Sequence, residues 1–285
     1  MSQHKEQQGF VTFAQNTKEV DYLELAYVQA LNIKATQENN RYAVIVDAAT
    51  KEKVSEKHHS VFDYIIDLPH DYNDPSSTWK LANEWQVFGL TPFKETIKLE
   101  ADLLFTRSID HWWTAFRLKN MVLATGCRNY QGVQSRIRKY RQFFDDNHLP
   151  DVYNGLMYFR YSREVVDFHR TVGVLMSHWS EVSSMLLNYR EDTQYPSTDV
   201  LYAVAAMIVG VENCTMPSMD FINFVHMKPA INQLPETESV SSAYLTEFDQ
   251  GMIRINNVNQ LSPLHYHEKD FVTEEMREWY ESRRT

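Results

Sequence analysis

Apolar residues fall into short continuous runs, separated by longer segments in which they recur every three or four positions. GFVTFAQN (Gly9 to Asn16), RYAVIVD (Arg41 to Asp47), VFDYIIDLP (Val61 to Pro69) and KETIKLEADLLF (Lys94 to Phe105) are the first four runs. Each has the length and the β-branched or aromatic content of a buried strand. After the first run, Leu23, Ala26, Tyr27, Ala30, Leu31 and Lys34 keep helical spacing, and TWKLANEWQVFGL keeps it before the fourth. Strands that alternate with helices and are apolar along their whole length predict parallel βαβ units, in a sheet covered on both faces.

The pattern loosens afterwards. MVLAT and DVYNGLMYFRY read as strands, GVQSRIRKYRQFFDD as a helix and SREVVDFHRTVGVLMSHWSEVSSMLLN as one long helix. STDVLYAVAAMIVG reads as a buried helix capped by Ser197 or Thr198. FINFVHMKPAINQL reads as a strand ended by Pro229, GMIRINNV as a strand and TEEMREWYESRR as a charged helix. No Gly/Ser-rich linker or internal repeat divides the chain, which predicts one mixed α/β domain with a smaller lobe formed by the later elements.

Composition narrows the class. The formal net charge of -10 over 285 residues argues against a general nucleic-acid surface, which needs a basic face. The two cysteines, Cys127 and Cys214, are far apart and lack metal spacing, so a reducing compartment is expected. The polar start MSQHKEQQGF and the short VLYAVAAMIVGV run offer neither a secretory segment nor a membrane span. A cytoplasmic protein without membrane partners is expected.

One strand carries acids where a core strand should not. In KETIKLEADLLF, Glu100 and Asp102 lie two apart, near the end of the fourth run. In doubly wound sheets ligands gather at the carboxyl ends of strands, and alternation would point both acids to one side. A divalent cation on a phosphorylated ligand would offset their charge. An ordinary strand-end pair bonded to loop amides is the other reading.

The surrounding segment resembles the approach to the Asp-x-Asp motif of metal-dependent GT-A glycosyltransferases, in particular the retaining, glycogenin-like group. Lys80-Leu81, Trp85, Leu90-Thr91, Phe93, Lys94 and Leu99-Glu100-Ala101-Asp102 carry the likeness, with Glu100 replacing the first Asp. Ala14, Asn16 and Tyr22 match the family's nucleotide-holding first strand and helix; Asn154 and Gly155 match its Phe-Asn-Ala-Gly strand. FVHMKPAI is similar to its His-x-x-Gly-x-Lys-Pro motif in shortened form, and Asp199 matches the start of its sugar-side helix. The likeness spans roughly residues 9 to 230 and extends to glycosyltransferase-like proteins of tailed bacteriophages.

The resemblance implies a GT-A-type, Rossmann-like central sheet, mixed but mostly parallel, flanked by helices, with a smaller C-terminal acceptor lobe. Within a single domain (1–285), residues 9–105 would bind the nucleotide sugar, 106–230 form the acceptor and catalytic half, and 231–285 complete the cleft. It implies Asp102, Glu100 and His226 as ligands of Mn²⁺ or Mg²⁺. Ala14, Asn16, Tyr22 and Lys228 would hold a UDP-sugar, and Asp199, Lys80 and Asn154 would act at the sugar. Each has a plainer reading: core histidine for His226, helix cap for Asp199, solvated helix residue for Lys80, core packing for Tyr22 and Trp112. HYHEK (His265 to Lys269) reads as a second metal site or as an extended segment lining the cleft.

RNYQGVQSRIRKYR contains Arg128, Arg136, Arg138, Lys139 and Arg141 and no acid. It is a solvated helix face or a phosphate-gripping patch. Taken with the phage likeness, the second option makes a hydroxymethylated base in DNA the candidate acceptor, with Trp112 beside it; a saccharide or protein hydroxyl is the alternative. The expected activity is sugar transfer with retention; the rival classes are a silent nucleotide-sugar or glycan-binding module and a sugar nucleotidyltransferase.

Overall fold

The computed structural model describes residues 6–73, 79–134, 138–186, 196–216, 222–235 and 237–284. In chain order the first strands are β1 (Glu6–Ala14), β2 (Tyr42–Val46), β3 (Tyr64–Asp67), β4 (Phe93–Leu99), β5 (Leu103–Leu104), β6 (Met121–Thr125) and β7 (Val152–Arg160). Six of them form the central sheet in the order β3-β2-β1-β4-β7-β6. The first four are mutually parallel; β7 runs against β4 and β6. This is the mixed, mostly parallel sheet expected from the sequence.

Each strand divides its apolar residues between two cores because successive side chains leave opposite faces. Phe10, Tyr42, Val44, Ile97 and Leu99 join one core with the helix Tyr22–Thr36. Val11, Ala43, Ile45, Met157 and Phe159 join the other with the helices Arg163–Ser177 and Thr198–Val209. Full burial of one such side chain contributes about 1.5–3 kcal/mol, so both layers hold the sheet in place.

Among the described residues there are two further, small sheets. β8 (Val225–His226), β9 (Thr246–Asp249), β10 (Met252–Ile255), β11 (Val258–Asn259) and β12 (Leu264–His265) supply their later strands. β9, β10 and β11 form an antiparallel sheet. Its β9–β10 turn places Gln250 and Gly251 at φ 47° and 89°, the left-handed pair that suits a tight hairpin. β12 lies between β5 and β8, antiparallel to the first and parallel to the second. The C-terminal helix Glu274–Arg283 packs on Tyr22–Thr36.

Three expectations about elements change. TWKLANEWQVFGL gives only a 3₁₀ turn (Glu84–Gln86) and one α turn (Val87–Leu90), with Thr78 outside the described residues. Asn83 and Glu84 are drawn into polar contacts with distant segments, which override the helical spacing. The long helix breaks at His178 (φ −119°, ψ 27°), and Trp179 beyond it is buried in the second core. The fourth run is not one strand: β4 stops at Leu99, the chain turns through Glu100–Asp102, and β5 joins a different sheet. Among the described residues no helix is long and apolar enough to cross a membrane.

Candidate active site

The turn bearing the two acids is held from below by one helix. Gln29 and Asn32, both fully buried, stand one turn apart in Tyr22–Thr36. Gln29 Nε2 donates to the carbonyls of Glu100 (2.6 Å) and Leu103 (2.7 Å), and its Oε1 accepts from the Tyr42 hydroxyl. The Asn32 amide both donates to the Phe105 carbonyl and accepts from its N–H. From the sheet side, Glu100 N–H donates to the Gly155 carbonyl and the Thr12 hydroxyl to the Leu99 carbonyl. A reversal of chain inside the core therefore leaves few unmet backbone groups, as burial requires.

His265 closes the cluster. β12 lies against β5 with His265 opposite Leu103, and Tyr266 N–H donates to the Asp102 carbonyl. His265 Nε2 is thereby 3.0 Å from Asp102 Oδ1 and 3.3 Å from Glu100 Oε2. The Lys269 ammonium contacts the other Asp102 oxygen. One potential ligand atom from each of Glu100, Asp102 and His265 lies within 4.8 Å of the others. Two carboxylates and one imidazole are a donor set that fits Mn²⁺ or Mg²⁺, the nitrogen favouring Mn²⁺.

The charges are coupled. Burial pushes the Glu100 carboxyl up, against the pull of His265 and Lys98. Burial also raises Asp102, but His265 and Lys269 outweigh it and hold this carboxyl well below the usual carboxylate range. Burial lowers the His265 imidazole, yet Asp102 and Glu100 leave it raised. His226 is instead lowered well below the ordinary value, by burial and by His265 beside it.

His226 and Glu100–Asp102, grouped by the sequence, are thus separated by one ring. The parallel pairing of β8 and β12 puts His226 in register with His265, and their rings stack at 4.3 Å and 7°. His265, not His226, faces both acids. The signal for it was the HYHEK segment, whose His265 and Lys269 both reach Asp102.

A cleft of about 380 Å³ opens over this cluster, bordered among others by Thr12, Tyr22, Lys80, Glu84, Lys228 and His267. Lys269 sits 5.8 Å above the Tyr22 ring. Ala14 is buried at the end of β1. Asn16 serves the junction after it, accepting from Leu23 N–H and donating to Asp21. Asp199, in the first turn of Thr198–Val209, accepts from the Asn154 N–H at 2.7 Å and pairs with Arg141 at 3.0 Å. Asn154 is buried and donates its Nδ2 to Glu84.

The basic run is not one surface. Arg141 is buried, pairs with Asp151 and Asp199, and stacks between the Phe144 and Tyr153 rings at 3.7 and 3.8 Å. Arg128 donates to the Gly132 carbonyl. Arg138 begins the helix Arg138–Asp146, and Arg136 lies outside the described residues. Trp112 is 4% exposed and packs on Phe116 in the first core.

No protein-family profile matches the chain, and no curated protein is similar in sequence. Solved structures are similar in fold. A galactosyltransferase, LgtC, solved with donor and acceptor sugar analogs, aligns over 97% of this chain and 96% of its own, at 14% identity and TM-score 0.53. The bifunctional glycosyltransferase WbbM aligns over 99% of this chain and 50% of its own, at 10% identity and TM-score 0.51. The chain has the mixed α/β fold of these GT-A-like glycosyltransferases.

Proposed function

We propose that the protein is a glycosyltransferase that moves a sugar from a nucleotide diphosphate sugar, a UDP-sugar, to an acceptor hydroxyl with retention at the anomeric carbon. The observation that carries this is the Glu100–Asp102–His265 cluster, set where β4 ends and a cleft opens, on a fold shared with sugar-transferring enzymes. These three residues would hold Mn²⁺ or Mg²⁺. A bound divalent cation supplies positive charge to a departing diphosphate, an effect of several kcal/mol.

The chain's own residues divide the remaining tasks. Lys228 and Lys269 put positive charge on one side of the cleft and suit the diphosphate oxygens; His267 beside them, lowered by burial and by these two lysines, adds a neutral imidazole. Tyr22 offers an aromatic wall to the base, close to Ala14 and Asn16 at the end of β1. Lys80, Asn154 and Asp199 serve the sugar, with Asp199 fixed by Arg141. In the reaction, the acceptor oxygen bonds to the anomeric carbon as the bond from that carbon to the diphosphate oxygen breaks. The diphosphate leaves with the electron pair, and the hydroxyl proton passes to a phosphate oxygen or to solvent. The proposed acceptor is a hydroxymethylated base in DNA, with Arg128, Arg136 and Arg138 to grip the phosphates, or alternatively a saccharide or protein hydroxyl.

One observation favours a second reading. Lys269 pairs with Asp102, one of the acids that would hold the cation, as would suit a metal-independent binding module. Incubation with a panel of UDP-sugars and Mn²⁺ distinguishes them. Slow release of UDP, accelerated by acceptor and abolished by EDTA, is expected. Binding without turnover would establish the module, and release of pyrophosphate from UTP and a sugar 1-phosphate, supplied in place of the UDP-sugars, would establish a nucleotidyltransferase.

A further inference from the structure

Lys98, on β4, is completely buried, and Glu84 is 4% exposed. Lys98 Nζ donates to Glu84 Oε2 at 2.8 Å and to the Asn154 carbonyl at 3.3 Å. Asn154 Nδ2 donates to the same carboxylate oxygen. A buried ammonium–carboxylate pair gains little over apolar residues of equal volume, because both ions lose their hydration. Stability alone is therefore a poor reason to keep such a pair here.

Position suggests a better one. Glu84 borders the cleft and Lys98 does not. The buried cation holds a carboxylate at the cleft wall. Its Oε2 accepts from both Lys98 and Asn154, while Oε1 accepts no hydrogen bond among the described residues. Two more polar atoms of this region, Asn154 Oδ1 and the Tyr202 hydroxyl, are buried without a hydrogen-bond partner among the described residues. Tyr202 is near enough for Glu84, Glu100 and Asp199 to push its phenol up, after burial itself. Of these atoms only Glu84 Oε1 belongs to a residue of the cleft wall, and an acceptor left open there is a group that a ligand satisfies.

The charge selects the ligand. A carboxylate repels phosphate and accepts hydrogen bonds from neutral hydroxyls. We propose that Glu84, held by Lys98 and Asn154, accepts a hydrogen bond from a hydroxyl of the transferred sugar and so decides which sugar the donor carries. This rests on the nucleotide-sugar reading above.

Glu84→Gln tests it sharply. Lys98 and Asn154 are both donors, so they retain the amide oxygen and turn the NH₂ toward the cleft, replacing an acceptor with a donor. Titrations with Mn²⁺ compare UDP with the tightest binder among UDP-glucose, UDP-galactose, UDP-xylose and UDP-N-acetylglucosamine. The variant should bind UDP within about twofold of the parent and the UDP-sugar at least tenfold more weakly, as loss of one hydroxyl contact implies. Among deoxyfluoro analogues of that sugar, the one that costs the parent tenfold should cost the variant less than twofold. If Glu84→Gln alone fails to fold, Lys98→Met with Glu84→Gln removes the two charges together and should give the same pattern. Equal weakening of UDP and UDP-sugar, or no change in either, would overturn the assignment. A parent protein that binds neither UDP nor any UDP-sugar would instead overturn the nucleotide-sugar reading itself, and this inference with it.

Discussion

Removing the buried ammonium alone should be far more damaging than removing the whole ion pair. Lys98 is fully buried, and its 2.8 Å contact is the only opposite charge on Glu84 among the described residues. In Lys98→Met the aliphatic stem is replaced by one of similar length, so packing changes little. The carboxylate, however, stays in place with a single amide donor, Asn154 Nδ2. Stranding one member of a buried pair costs about 3–5 kcal/mol. With a urea m-value of roughly 3 kcal/mol/M for a chain of this size, the unfolding midpoint should fall by roughly 1–1.7 M. The double variant Lys98→Met with Glu84→Gln leaves no stranded charge and should return to within about 1–2 kcal/mol of the parent. Urea unfolding followed by circular dichroism at pH 7.5 measures both. A Lys98→Met protein within about 1 kcal/mol of the parent, or a double variant as unstable as the single one, would refute the view that this is a desolvated and mutually dependent pair.

Asp102→Asn should abolish Mn²⁺ binding, read by electron paramagnetic resonance of free Mn²⁺, and lower turnover by about two orders of magnitude or more; His265→Ala should weaken Mn²⁺ binding far more than His226→Ala, and equal effects would count against the cluster as drawn. Gln29→Met removes the donor to the Glu100 and Leu103 carbonyls and should lower stability by about 2 kcal/mol or more in urea, with Mn²⁺ affinity falling alongside. His169, buried with Nδ1 against the Val165 carbonyl, has its imidazole pushed down to about 4 by burial. The unfolded chain binds that proton near 6.5, so stability is full above about pH 6.5 and falls as pH drops toward 4, by up to about 3 kcal/mol. His169→Asn should flatten that part of the urea midpoint between pH 7 and 4.5, and an unchanged slope would show that other groups carry it.

Local pattern was enough for the sheet and for the placement of the acids. The runs around Val11, Val44 and Met157 have apolar residues on both sides, and only strands between two helical layers bury both faces. Glu100 and Asp102 stand out because carboxylates at the end of such a run need partners. The partners themselves were not legible. His265 is 163 residues beyond Asp102 in the chain, and nothing in its spacing separates it from His226. Only the β5–β12–β8 pairing, which fixes a register, sends one ring to the acids and the other behind it. Gln29 and Asn32 look like interruptions of an apolar helix until the turn they hold is folded against them. Arg141 belongs to a basic run by sequence, yet Asp151, Asp199 and two aromatic rings draw it inside. Periodicity records which face a residue shows to its own element. Which distant charge meets it there is settled by packing, where a buried ion is tolerated only opposite its counterion.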